Sequence, residues 1–223
     1  ARILDFQSAG DTAVLNRADP GSWALRHKVR GELVSFGLKR PTSGEPGAFL
    51  EAGHLKYWDG SQDIDLMPQE LIRLRGEHNL LNVLAACAVA HAAGFSPSAM
   101  QAGVADFSGV PHRLEWVRTL HGADWYNDTI ATAPERTIAD IHAFSEPLVL
   151  LLGGRDKNLT WTDLAELVHQ RVDHCVVFGE AAPIILKALG PLRPAARLAS
   201  ITPCSGLQAA VAAAAQVAEP GDV

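Results

Sequence analysis

Thiols are scarce in this chain of 223 residues. Cys87, Cys175 and Cys204 are odd in number and far apart, and no CxxC pair occurs. A disulfide framework and a zinc knuckle are both excluded, and a reducing, cytoplasmic compartment is expected. The nine histidines never fall at HxH or HxxxH spacing, so no metal site is expected from these residues alone. Neither a GxGxxG dinucleotide fingerprint nor a GxxxxGK[ST] phosphate loop is present. The longest weakly polar run, the alanine-rich stretch near 209–218, falls far short of the ~20 strongly apolar residues of a membrane span. Basic charge is also lacking. With 19 Lys and Arg against 25 Asp and Glu, the formal charge is −6, which argues against nucleic acid as the main partner.

What is present is an ordinary globular composition, 48% hydrophobic and 20% charged. Length alone suggests one large domain or two small ones. The chain opens at Ala1 without Met and closes on Glu219-Pro220-Gly221-Asp222-Val223, which reads as a turn before a strand. Both ends suggest a piece of something longer.

Residues 1–75 read as short β segments between turns. The strand candidates are Asp11–Asn16, Glu32–Leu38 and Ala48–Trp58, and the breakers are Asp19-Pro20-Gly21 and Pro41–Gly47. Apolar spacing predicts a helix from Gly76 to Ala93, ended by Gly94, and a second helix opened by Ser96-Pro97. Phe107–Arg113, with Gly109 and Pro111, reads as a linker between domains at 1–109 and 110–223.

Beyond it the pattern becomes strand–helix alternation. Leu114–Thr119, Asp124–Asn127, Leu148–Leu152 and Cys175–Phe178 are expected strands. Helices are expected at Pro134–Phe144, Thr160–Gln170 with a Thr cap, Ala181–Leu189 and Ser205–Ala218. Apolar strands alternating with amphipathic helices predict an α/β fold with a mostly parallel, Rossmann-like sheet covered on both faces.

Ligands of open parallel sheets gather at the carboxyl ends of strands. Two strand–helix turns there are unusually polar: NDTIAT at 127–132 and GGRDK at 153–157. Each also has a plain reading, as a helix cap or as a glycine-rich turn with solvated charges. GEHNLLN at 76–82 opens the long helix, where free amides can hold a phosphate or nucleotide or simply be capped. PHRLE at 111–115 places Arg113 at the predicted hinge, where it can grip phosphate or pair with Glu115.

Together, GEHNLLN, FSGVPHRLE at 107–115, NDTIAT and LLLGGRDKNL at 150–159 resemble, in order and interval, the Mur ligase family. The NDT form of the third cluster resembles the glutamate-adding branch. VLNRADP, ending at Pro20, is similar to the family's central domain at its Asn-x-Asp-Asp turn. The resemblance covers nearly the whole chain but only about the last half of such an enzyme. It implies the end of a central ATP-binding domain followed by a C-terminal Rossmann-like domain. The uridine-nucleotide domain, the phosphate loop and the carbamylated lysine that helps hold Mg2+ would then lie before residue 1.

The implied activity is ATP-dependent amide formation in peptidoglycan synthesis, joining glutamate to UDP-N-acetylmuramoyl-L-alanine through an acyl phosphate. Such catalysis is mainly positioning and neutralisation of phosphate charge. By resemblance, His78, Asn79 and Asn82 serve the adenine side of ATP, Arg113 its phosphates and Asp128 its ribose. Lys157 and Thr132 would grip the incoming amino acid. Ile130 stands where the family commonly has Lys, and Arg155 is the cation expected to take its place. The expected partners are small molecules and the expected state is a monomer.

Two rivals stand beside this reading. One is another ligase of the superfamily, of the folylpolyglutamate or cyanophycin synthetase type, against which NDTIAT argues. The other is a non-catalytic Rossmann-like nucleotide-binding module. On the favoured reading, residues 1–223 alone catalyse no amide formation. Phosphate release from ATP with UDP-sugar-alanine and glutamate, measured on that purified chain, would overturn the expectation.

Overall fold

The computed structural model describes residues 2–42, 44–155 and 159–223. The chain divides into two units, Ala1–Ser108 and Gly109–Val223.

The first unit is built on a five-stranded sheet in sequential order: β1 (Thr12–Asn16), β2 (Glu32–Phe36), β3 (Gly47–Glu51), β4 (His54–Trp58) and β5 (Asp63–Pro68). The β1–β2–β3 pairs are parallel, whereas β3–β4–β5 are antiparallel. The expected single strand Ala48–Trp58 is therefore a hairpin. Its turn is Ala52-Gly53, with φ of 49° and 76°. Two consecutive residues at positive φ suit the twist of paired strands. Alanine in the first position hides the turn, because Asn or Asp would be its usual marker.

Helix α1 (Pro20–Trp23) is capped by Asp19, which accepts from the Ser22 amide at 2.5 Å. Helix α2 (Glu77–Ala92) presents Leu80, Val83, Leu84, Cys87 and Ala88 at i, i+3, i+4, i+7 and i+8. These side chains share a core with Val34, Leu55, Leu66 and Met67 of the sheet. Leu84 is fully buried, a burial that contributes roughly 2 kcal/mol. Helix α3 (Pro97–Ala105) starts as expected, with Ser96 Oγ accepting from the Ala99 amide at 3.3 Å.

Beside this core, Arg17 ties the parallel strands together. Its guanidinium donates to Ser35 Oγ and to the carbonyls of Gly37, Lys39 and Ala48. Burial lowers its pKa to about 10.

The second unit begins with an antiparallel hairpin, β6 (Glu115–Leu120) and β7 (Ala123–Asn127). Helix α4 (Pro134–Ile141) follows. The remaining elements are β8 (Val149–Gly153), α5 (Thr162–Arg171), β9 (His174–Phe178), α6 (Ala182–Leu189), β10 (Ser200–Pro203) and α7 (Leu207–Val217). Strands β10–β9–β8 form an all-parallel sheet.

Both faces of this sheet are covered, and the side chains of β9 show it. Cys175 and Val177 enter the core shared with Leu164 and Val168 of α5 and Ile185 of α6. Val176 points the other way, onto Ala210 and Ala214 of α7. That alternation has the period of two that a strand imposes. The alanine-rich run thus supplies the packed face of α7 through Ala210 and Ala214, while Ala209 and Ala212 are exposed.

Three details differ from the sequence expectation. Helix α5 starts at Thr162 rather than at a capping Thr160. Its N-cap is Trp161, which makes no capping bond and packs against the core instead. Strand β10 was not expected; it lies at the sheet edge and ends on Pro203, a residue that an edge strand tolerates because one side of its backbone is unpaired. Residues 221–223 lie between hairpin and parallel sheet. Gly221 N–H donates to Gly122 O at 2.9 Å, and Asp124 N–H to Asp222 O at 2.9 Å. Val223 exchanges bonds with Pro147 O at 3.0 Å and with the Val149 amide at 2.8 Å.

Strand β8 ends against β9 with no room to spare. A Cβ added to Gly153 would stand 2.6 Å from Phe178 O and 2.9 Å from its ring. Gly153→Ala is expected to destabilise the second unit by about 1–3 kcal/mol, read as a lower urea midpoint with unchanged slope.

Candidate functional site

In the first unit the GEHNLLN cluster forms the start of α2. Gly76 precedes the helix with φ 90° and ψ 147°, a conformation that glycine adopts without strain. Asn79 is buried, donates to Arg75 O at 2.7 Å and accepts from Asn82 Nδ2 at 3.3 Å. Its amide therefore organises the helix start, while Asn82 and the half-buried His78 lie on the same first turns.

In the second unit the polar clusters of the sequence converge on the loops around β7 and β8. Asp128 follows β7, and its Oδ1 accepts from the Leu114 amide at 3.0 Å. This one bond joins the NDTIAT turn to the PHRLE segment. The carbonyl of His112 accepts from the Ile130 amide at 3.2 Å, a second tie between the same two loops. Asn127 Nδ2 also lies 2.8 Å from His112 Nδ1.

The PHRLE backbone is held in an uncommon shape. His112 and Leu114 have φ of 66° and 41°, flanking Arg113 on both sides. Left-handed conformations at two non-glycine residues cost of order 1–3 kcal/mol each, which the surrounding bonds must offset. The exposed guanidinium of Arg113 is thereby carried on a fixed turn.

Asp140, on α4, was not singled out by the sequence. Its carboxyl is acted on by that of Asp128. Burial, then the Asp128 carboxyl and the repulsion of its charge, push the Asp140 pKa up to about 7, against the lowering influence of Arg113 and Arg136. The available signal was spacing. Asp140 stands three residues after Thr137 and so on the same side of α4, which begins directly after the polar turn.

A cavity of about 140 Å³ lies between the NDTIAT turn and the end of β8. Thr129, Thr132 and Thr137 line one side, and Gly153, Gly154 and Arg155 the other. Ala133 and Pro134, the start of α4, also border it, and no side chain caps that helix. The partial positive charge of a helix N-terminus favours an anion there. The structure thus brings Thr132 and Arg155 to one cavity, together with Thr137, which sequence reading missed. Ile130 is exposed. Lys157 falls outside the described residues.

Residues 112–223, half of the chain, match the family profile "Mur ligase, glutamate ligase domain". The chain belongs to the Mur ligase family. Among curated relatives it is 36% identical over 226 residues to the UDP-N-acetylmuramoylalanine–D-glutamate ligase of Symbiobacterium thermophilum, covering 99% of this chain and 48% of that protein. It is 35% identical to the ligase of the same name from Syntrophus aciditrophicus, covering 100% and 47%. The chain thus spans about half the length of the curated relatives it matches. Among solved structures, the fold is similar to a MurF ligase from Thermotoga maritima in complex with ADP. There the TM-score is 0.68 at 17% identity, over 99% of this chain and 50% of that one. A pseudomurein peptide ligase from Methanothermus fervidus gives 0.66 at 14% identity, over 94% and 52%.

The Asp140 carboxyl links stability to pH. Folded, it keeps a proton that the unfolded chain releases near pH 4, so each rise in pH from about 4 to about 7 favours unfolding, with no further effect above. Asp140→Asn should flatten that part of the profile. Thermal midpoints recorded between pH 4.5 and 8 check this, and parallel profiles for variant and wild type would contradict it.

Proposed function

We propose that this chain is part of an ATP-dependent amide ligase that joins glutamate to UDP-N-acetylmuramoyl-L-alanine in the cytoplasm. The observation that carries the reading is the cavity where the NDTIAT turn meets Gly153-Gly154-Arg155. It is supported by relatives named for that D-glutamate reaction over the whole chain.

The first unit is read as part of the ATP-binding central domain, and the second as the domain that receives the amino acid. Within the second unit the cavity suits a small dicarboxylate. Threonine hydroxyls donate hydrogen bonds, Arg155 supplies a cation, and the start of α4 adds the positive end of its helix dipole. Lys157 is assigned to the same task from the sequence. Thr132 would hold the incoming glutamate so that its neutral amine faces the activated carboxyl group. Positioning of this kind removes much of the barrier to amide formation, because two substrates then react as one.

ATP supplies the leaving group that the alanine carboxylate lacks, by converting it to an acyl phosphate. In the first unit His78, Asn79 and Asn82 are assigned to the adenine. In the second, Arg113 is assigned to phosphate and Asp128 to ribose. An exposed guanidinium on a fixed turn fits the first of these roles, and a carboxylate oriented by a backbone amide fits the second. Among the described residues no three His, Cys, Asp or Glu side chains are grouped to hold a metal ion. No step is assigned to Mg2+ on the residues of this chain.

The test is phosphate release by the ligase containing this chain, with ATP, Mg2+, UDP-N-acetylmuramoyl-L-alanine and either glutamate enantiomer. Release with D-glutamate is expected, and none with any glutamate would overturn the reading. In the same assay Arg155→Ala should raise the KM for glutamate about tenfold or more, as expected for loss of a charge-assisted hydrogen bond. An unchanged KM would remove Arg155 from the amino-acid site.

A further inference from the structure

Asn127 closes strand β7 opposite Glu115, which opens β6. Its side-chain amide makes three contacts that the function proposed above does not use. Oδ1 accepts from the Thr129 amide at 3.2 Å, within the NDTIAT turn. Nδ2 donates to Glu115 Oε2 at 3.4 Å and lies 2.8 Å from His112 Nδ1.

These contacts fix which way round the amide stands. A backbone N–H can only donate and a carboxylate only accept, so the oxygen must face Thr129 and the nitrogen Glu115. The nitrogen then also faces His112, and a donor there needs an acceptor opposite it. Of the two ring nitrogens of a neutral histidine, one donates and the other accepts. Nδ1 is therefore the acceptor, and the ring proton sits on Nε2. A proton on Nδ1 would set N–H against N–H at 2.8 Å. The Glu115 oxygen that it could serve instead is 3.7 Å away, outside hydrogen-bond reach.

The same residues hold the backbone that leads to Arg113. The His112 amide donates to Glu115 Oε2 at 2.8 Å, and His112 O accepts from the Ile130 amide at 3.2 Å. Asn127 thus joins the His112 ring, the Glu115 carboxylate and the NDTIAT turn. The His112 side chain is 63% exposed, and among the described residues its Nε2 makes no hydrogen bond.

We propose that Asn127 is a positioning residue for the nucleotide: its amide locks the His112 imidazole in the Nε2–H form, so that the turn carrying Arg113 offers a phosphate oxygen a neutral donor as well as a cation. This rests on the assignment of Arg113 to phosphate made above. A guanidinium supplies charge, and a neutral N–H adds direction without adding a second charge. Asn127 acts through His112 and touches no ligand itself.

The test has two arms. The first is two-bond 1H–15N correlation of the histidine rings in the 223-residue chain at pH 8, above the ordinary range of histidine titration, with His112→Gln identifying the His112 signals. The wild type should show an unprotonated Nδ1 and a protonated Nε2. Asn127→Asp keeps the acceptor for Thr129 but puts a second acceptor against the ring, so Nδ1 should become protonated while the Thr129 amide shift holds. Asn127→Ala, which keeps neither group, should leave the ring a mixture of its two neutral forms. A wild-type proton on Nδ1, or a ring pattern indifferent to both substitutions, would overturn the proposal.

The second arm is ADP affinity by calorimetry, on the ligase containing this chain at pH 8. Asn127→Ala should weaken ADP about tenfold, the loss expected when one donor is no longer held in place. In a His112→Gln background the side-chain amide offers a donor with no tautomer to fix. There the same substitution should weaken ADP less than about threefold. Equal losses in the two backgrounds would mean that Asn127 acts apart from His112, against the positioning role. A wild-type ligase that binds no ADP, beside the expected ring pattern, would instead overturn the assignment of Arg113 to the nucleotide and leave the hold of Asn127 on His112 standing.

Discussion

The second unit is organised around one hydrogen bond, from the Leu114 amide to Asp128. The two residues are distant in sequence, on either side of the β6–β7 hairpin, so the bond closes the hairpin at its open end. With the Ile130 amide donating to His112 O and the His112 amide donating to Glu115, it holds His112 and Leu114 at positive φ and Arg113 between them. The aromatic contact of Tyr126 with Phe144, edge-on with ring centroids 5.1 Å apart, anchors β7 on the segment after α4. Backbone geometry, a carboxylate and a ring contact thus cooperate to hold one exposed cation.

The cavity has a different origin. It lies beside the end of β8, where Gly153 closes the strand and Gly154 follows it. At Gly153 there is no space for a Cβ beside Phe178, and Gly179 similarly faces the Gly154 backbone. The threonines and Arg155 give this opening its chemical character.

Much of this was legible in the sequence, for identifiable reasons. The α2 helix declared itself because Leu80, Val83, Leu84, Cys87 and Ala88 follow helical spacing without interruption. Strands β8 and β9 did so because they are buried on both faces and read as continuous apolar runs. The β3–β4 hairpin did not, since its turn uses Ala52 where Asn or Asp would announce positive φ. Strand β10 was hidden by the prolines around it, which an edge tolerates and a central strand does not. At the site, NDTIAT and the first three residues of GGRDK border one cavity, where Thr132 and Arg155 meet. Asp140 was passed over because an acidic residue in an amphipathic helix, like Glu135 of the same helix, reads as solvated surface. Only folding shows that it faces another carboxyl group.

The placement of residues 221–223 bears on how the second unit responds to force. These residues bond to the β6–β7 hairpin through Gly122 and Asp124, and to the parallel sheet through Pro147 and Val149. Tension applied at Val223 along the strand direction would load both sets of backbone bonds together, in shear, rather than opening them one at a time. Hairpin and sheet would yield as a single mechanical element, with the cavity-forming loops at its far ends.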